Sequence, residues 1–202
     1  MKWLCIPGWA TDPDIFSEIP PSNHDFQKLD FNFFNDQDFP DCEELNADGI
    51  ICYSLGSLIA LQIMERKNIQ KAIFIGGFTF FPGDDKKRKL KISLMIRGLK
   101  KNPEKTLADF YAEAGLPQKS FTKINVTNLI HGLELLRDCD MSHALRNTNS
   151  EIYTIHGDQD SIVPEEQNRM QFKNNKHFSL NGNHAIILSK SNEIKKIISE
   201  II

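Results

Sequence analysis

Ser54, the aspartates at 158 and 160, and His184 are the residues whose types and order could do acyl-transfer chemistry. Ser54 lies in Cys-Tyr-Ser-Leu-Gly (52–56). That is four of the five positions of the nucleophile-elbow pattern G-x-S-x-G, with Cys52 in place of the first glycine. A serine hydroxyl alone is a poor nucleophile. It needs an imidazole to take its proton, and the imidazole needs a carboxylate to fix its tautomer and stabilise its cation. An acid and then a histidine are expected to follow the serine. "HGDQDSIVP" (156–164) offers two competing acids, Asp158 and Asp160, and "NGNHAIIL" (181–188) offers His184. His24, His131, His143, His156 and His177 are rivals, but none combines a loop after a strand with that order. The oxyanion needs two backbone N–H donors. Leu55, directly after the serine, and Trp9 in "PGWATD" (7–12) are the candidates, and the Trp9 ring could wall the pocket. Singly, each feature has a plainer reading as a turn serine, a surface or core histidine, or a Pro-Gly turn. Their joint order is what points to chemistry.

Such residues need strands that end beside one another. "KWLCI" (2–6), "FQKLDF" (26–31), "GIICYS" (49–54), "KAIFIGG" (71–77), "EIYTIHG" (151–157) and "KHFSL" (176–180) read as strands. Helical spacing follows the third (55–67), returns at "PEEQNRMQF" (164–172) and closes the chain at 191–202, with Ser191 or Asn192 as its cap. Strands alternating with helices predict an α/β fold with a mainly parallel sheet of about six strands. Between the fourth and fifth strands only helical periodicity is found: "KKRKLKISLMIRGLKK", "PEKTLADFYAEAG" and "NVTNLIHGLELLRDCD". The expected organisation is a core of 1–81 and 148–202 with an inserted helical cap over 82–147. In the cap and at its entry, Phe80, Phe81, Leu94, Leu99, Phe110, Tyr111 and Leu133 are candidates to line an acyl channel, with Trp9, Phe110 and Tyr111 as substrate contacts.

The chain of 202 residues is 40% hydrophobic and 25% charged, the composition of an ordinary globular domain. No apolar run approaches the ~20 residues that span a bilayer, and the N-terminus lacks a signal-peptide core. A cytoplasmic protein with no membrane partner is expected. The four cysteines, Cys5, Cys42, Cys52 and Cys139, show no CxxC spacing and read as free thiols. The net charge of −3 is unevenly spread. Residues 84–105 hold nine bases (Lys86, Lys87, Arg88, Lys89, Lys91, Arg97, Lys100, Lys101, Lys105) and three acids (Asp84, Asp85, Glu104). This stretch nets +6 and the rest of the chain −9. The plain reading is a solvated helix face; the sharper one is a docking patch for an acidic partner. No interleaved aromatic platform or known module supports nucleic-acid binding.

With these residues in view, nearly the whole chain resembles the α/β-hydrolase superfamily. Within it, "PGWATD", "YSLGSLIALQI", "GLELLRDCDMSHALRNTNSEIYTIHGDQDSIVP" and "NHAIIL" resemble the pimeloyl-[acyl-carrier protein] methyl ester esterases of biotin synthesis. The resemblance implies the α/β-hydrolase fold, with Ser54 as nucleophile, His184 as base, Asp160 as the acid of the D-x-x-V-P element, and Trp9 and Leu55 as oxyanion donors. It implies a carboxylesterase that needs neither metal nor organic cofactor. It also implies an acyl-carrier protein as partner, docking on Lys86, Lys87, Arg88, Lys89, Arg97, Lys100 and Lys101; that carry-over is regional. A monomer is expected. Cys52 departs from the elbow pattern, and the leading strands usual in the superfamily are missing or reduced. A general short-chain esterase, a thioesterase, a lyase of menaquinone synthesis, or a hydrolase-fold binding protein without activity are the alternatives.

Overall fold

The structure is a computed structural model that describes residues 1–20, 25–42, 45–83, 85–146 and 148–202. Six strands form one sheet: β1 (Lys2–Ile6), β2 (Asp25–Lys28), β3 (Gly49–Tyr53), β4 (Lys71–Ile75), β5 (Glu151–Gly157) and β6 (Lys176–Leu180). Their order is β2-β1-β3-β4-β5-β6, and every pairing is parallel. The central strands read as continuous apolar runs because helices cover both faces of a parallel sheet; β3 is buried at all its positions. The edge strands β2 and β6 are largely exposed or half-buried. Because all strands run the same way, their C-terminal ends share one edge, where ligands bind in open α/β sheets.

β2 is shorter than the 26–31 read from the sequence. Leu29 still donates its N–H to Cys5 O at 2.9 Å. Asp30 Oδ1 then accepts the Asn32 N–H, and Asn32 takes φ +57°, which turns the chain off the sheet edge.

The helices are α1 (Gly56–Arg66), α2 (Lys86–Lys101), α3 (Pro103–Ala114), α4 (Val126–Asp138), α5 (Glu165–Gln171), α6 (Ile186–Ser189) and α7 (Ser191–Ile201). Helices α2, α3 and α4 occupy the stretch between β4 and β5 where only helical periodicity was found, and α2 packs against both others. The ends follow local chemistry. Asn102 caps α3, accepting from the Lys105 N–H at 3.0 Å, with Pro103 in its first turn, and Gly115 ends the helix at φ +75°. Asn125 caps α4. Neither Ser191 nor Asn192 caps the last helix, contrary to expectation. The short α6, not read from the sequence, runs almost directly into α7, so Ser191 already lies in the helix and the N-cap position falls to Lys190.

Two polar side chains tie α4 to the sheet edge. The Asn128 amide donates to the carbonyls of Phe31, Asn32 and Gln37, and Trp9 Nε1 donates to Leu129 O at 2.8 Å.

The α1 helix leaves the sheet at close range. A Cβ on Gly56 would lie 2.4 Å from Ile6 O and 2.7 Å from Pro7 O. Both obstacles are backbone, so neither can swing away. Gly56→Ala is expected to destabilise the protein by about 3 kcal/mol, the upper part of the usual overpacking range. Urea unfolding measures this, and an unchanged midpoint would show that β1 and α1 can separate without cost.

Candidate active site

Each residue with catalytic potential follows the C-terminal end of a strand. Ser54 comes directly after β3 and adopts φ +51°, a left-handed conformation uncommon for a residue with a Cβ. Its N–H still bonds Ile75 O at 3.0 Å, so the turn is held on the β4 side. Cys52, in the position usual for glycine, is a fully buried residue of β3 paired with Phe74. Thus the small residue that local crowding requires is Gly56, while Cys52 is an ordinary interior strand position.

His184 follows β6. Gly157 lets the two strand ends converge: a Cβ there would lie 2.4 Å from Gly182 O and 2.6 Å from Asn183 O. His184 Nδ1 lies 2.7 Å from Asp160 Oδ2, and its Nε2 lies 2.9 Å from Ser54 Oγ. A carboxylate can only accept, so Nδ1 carries the proton and Nε2 accepts from the serine hydroxyl. All three residues are buried. Between the competing acids the geometry favours Asp160, since Asp158 is exposed and accepts the Gly182 N–H instead.

Asp160 Oδ1 accepts from the N–H groups of Ile162 (2.9 Å) and Val163 (2.8 Å). His156 Nε2 stands 3.4 Å from Oδ2 and 2.7 Å from Val163 O. Burial pushes the Asp160 carboxyl up, but His184, His156 and the Val163 N–H together hold it well below the usual carboxylate range.

The loop after β1 lies against the nucleophile. A Cβ on Gly8 would be 3.2 Å from Ser54 Cβ. The Thr11 hydroxyl accepts from the Gly8 N–H and donates to Gly8 O, both at 2.9 Å. Ala10 takes φ +54°, and its carbonyl accepts from Tyr111 Oη at 2.7 Å. Among the described residues neither the Trp9 nor the Leu55 backbone N–H has a hydrogen-bond partner, which leaves both free for an oxyanion.

Ser54, Trp9, Phe81, Ile92, Met95, Phe110, Leu133, Leu136 and Ile162 line a cavity of about 90 Å³ together with the charged side chains of Arg88, Lys91 and Glu113. Phe81, Phe110 and Leu133 therefore lie where an acyl channel was expected. Phe80, Leu94, Leu99 and Tyr111 do not line the cavity. Leu94 is exposed, Leu99 is packed in the interior, and Tyr111 faces Ala10. Tyr111 is thus a support of the loop rather than a substrate contact. Arg88 also departs from expectation: it turns to Phe81 O and Gln167 rather than outward. Lys86, Lys87, Lys89, Arg97, Lys100 and Lys101 are exposed.

Of the rival histidines, His131 packs on Phe39, His143 pairs with Glu65, His177 bridges Thr154 and Glu165, and His156 supports Asp160. His24 and Asp84 lie outside the described residues. Sequence reading missed Tyr53, whose ring packs on His184 and whose hydroxyl donates to His184 O at 3.1 Å. Its one signal was its place directly before Ser54. Thr11 gave no signal, because its partner Gly8 is recognised only once the loop is folded. Among the described residues no His/Cys/Asp/Glu cluster could hold a metal, the four cysteines are free, and no helix is long and apolar enough to cross a membrane.

Solved structures share this architecture over almost the whole chain. An esterase from Exiguobacterium antarcticum superposes with a TM-score of 0.83 at 15% identity, covering 100% of this chain and 91% of that one. A bromoperoxidase from Bacillus anthracis gives 0.81 at 17% identity, covering 98% and 91%. An enol-lactonase from Burkholderia xenovorans gives 0.80 at 12% identity, covering 98% and 90%. The fold is the α/β-hydrolase fold. No protein-family model matches the chain, and no curated protein does.

A carboxyl held low in the native state, against about 3.9 when unfolded, adds stability above that pH and loses it as pH falls toward the native value. Between pH 5 and pH 2 the melting temperature of the wild type is expected to fall more steeply than that of Asp160→Asn. Parallel pH profiles would show that Asp160 is not held ionised.

Proposed function

We propose that this chain is a serine carboxylesterase acting on small esters through an acyl-enzyme on Ser54. The observation that carries the reading is the continuous run from Ser54 Oγ through His184 to Asp160, at 2.9 and 2.7 Å. His184 Nε2 takes the Ser54 proton as Oγ attacks the ester carbonyl. Asp160 keeps Nδ1–H in place and stabilises the imidazolium. The N–H groups of Trp9 and Leu55 receive the tetrahedral oxyanion. His184 then protonates the departing alcohol, and a water activated the same way releases the acid. An esterase and an enol-lactonase among the structures of like fold, enzymes named for ester-type substrates, fit this reading. The cavity of about 90 Å³ is smaller than the roughly 150 Å³ that admits benzene. It accommodates an acyl group of a few carbons.

Ser54→Ala is expected to lower kcat on p-nitrophenyl acetate by about 10⁴-fold or more and to abolish labelling by a fluorophosphonate. Retained turnover would remove Ser54 as the nucleophile. A wild-type protein that neither labels nor turns over would be a binding protein on this fold.

A second reading, hydrolysis of the pimeloyl methyl ester on acyl-carrier protein, is favoured by the outer face of α2. Lys87, Leu90, Leu94, Arg97 and Lys101 follow one another at three- and four-residue spacing, so they share one stripe. Leu90 is 57% and Leu94 52% exposed. An apolar pair flanked by cations suits an acidic amphipathic helix such as a carrier protein presents. This substrate needs the cavity to open beyond its present size. Reversing Lys87, Arg97 and Lys101 to Glu is expected to lower the ratio of carrier-bound to free methyl ester hydrolysis by about tenfold or more. An unaltered ratio would return the stripe to a solvated surface.

A further inference from the structure

Three charged side chains and two serines, Ser54 and Ser161, line an otherwise apolar cavity. Lys91 and Glu113 form an ion pair with each other. Among the described residues Arg88 has one ion-pair partner, Asp85, whose Oδ2 lies 3.8 Å from its Nε on a side chain that is 49% exposed. A weak pair of that kind leaves most of the guanidinium charge uncompensated. The Arg88 side chain itself is only 21% exposed.

The guanidinium is also held in place. Nη1 donates to Phe81 O at 3.1 Å and to Gln167 Oε1. Gln167 is in turn locked, because its Nε2 donates to Phe80 O and Phe81 O at 3.0 and 3.1 Å. Its oxygen must therefore turn toward Arg88. Gln171 braces the same segment, donating to Phe80 O and accepting from the Thr79 N–H. Nη2 has no hydrogen-bond partner among the described residues. A cation fixed by neutral carbonyls, with one nitrogen unspent, is a preorganised anion receptor.

We propose that Arg88 binds a carboxylate on the substrate, so that the site selects half-esters of short dicarboxylic acids. This rests on the esterase reading and adds its substrate class. Arg88 lines both the cavity at Ser54 and the neighbouring groove that holds its partners Gln167 and Asp85, so an anion that reaches the guanidinium from Ser54 is separated from the reacting ester by few bonds. A succinyl or glutaryl group meets both conditions once the cavity of about 90 Å³ widens, by less than a pimeloyl chain requires. Arg88 acts in binding, and the bond changes at Ser54 are those already described. Glu113 opposes the same anion from the cavity wall and holds Lys91 neutralised.

The test is methanol release from monomethyl succinate and monomethyl glutarate, beside the neutral methyl butyrate and methyl valerate, at pH 7. The wild type is expected to favour the anionic esters in kcat/KM by about tenfold or more, with the difference mainly in KM. Arg88→Met should collapse that ratio and Arg88→Lys should keep part of it. Glu113→Gln should raise the ratio, a change in the opposite direction that a folding defect does not produce. Ser54-dependent turnover with equal kcat/KM for both classes overturns the Arg88 assignment and leaves the esterase reading standing. A wild-type preference that survives Arg88→Met also overturns it. Absence of turnover on all four esters, together with no fluorophosphonate labelling, removes the esterase reading and this inference with it.

Discussion

The first turn of α1 meets the end of β1 backbone to backbone, with Gly56 set against the carbonyls of Ile6 and Pro7. Much of the site follows from that contact. It fixes the distance between the serine turn and the loop carrying Trp9, the two places from which an oxyanion would be bound. It also forces the chain to leave β3 abruptly, and Ser54 takes up the strain at φ +51°. A residue in that region costs on the order of 1–3 kcal/mol and persists only where its surroundings over-determine it. Here the surroundings are the Ile75 carbonyl on one side and the packed helix on the other.

Electrostatics at the site are arranged around one buried carboxylate. Desolvation works against its charge, and four donors work for it: two backbone N–H groups, His184 and the more distant His156. Backbone donors cannot rotate away, so the carboxylate is oriented independently of any ligand. The imidazole inherits that orientation and is further boxed by the Tyr53 ring and hydroxyl. Such preorganisation is what makes fixed dipoles effective where charge develops.

Much of this was legible in the sequence because the signals were periodic or positional. Five of the six strands and the three helices between β4 and β5 stand where apolar spacing put them, since parallel central strands and amphipathic helices write their burial into the chain. The order serine, aspartate, histidine was equally legible; the choice of Asp160 over Asp158 came only from the resemblance and its D-x-x-V-P element. Side-chain direction was not. The sequence suggests a pocket aromatic at Tyr111, which instead spends its hydroxyl on Ala10, and a surface cation at Arg88, which instead turns inward to Gln167. Both partners lie far away in sequence, and no local pattern encodes such a contact. The cap expected at Ser191 or Asn192 failed because α6, only four residues long, is too short to show a period.

Helix α2 is a partition one helix thick. Arg88, Lys91, Ile92 and Met95 stand on the cavity side, while Leu90 and Leu94 stand in solvent on the other. The wall from residue 88 to 95 is about 10 Å long and about 10 Å across, so a rigid displacement of 1 Å sweeps roughly 100 Å³. That is as much again as the enclosed space it borders, about 90 Å³. The capacity of this pocket is therefore set less by the size of the side chains that line it than by where a single helix comes to rest.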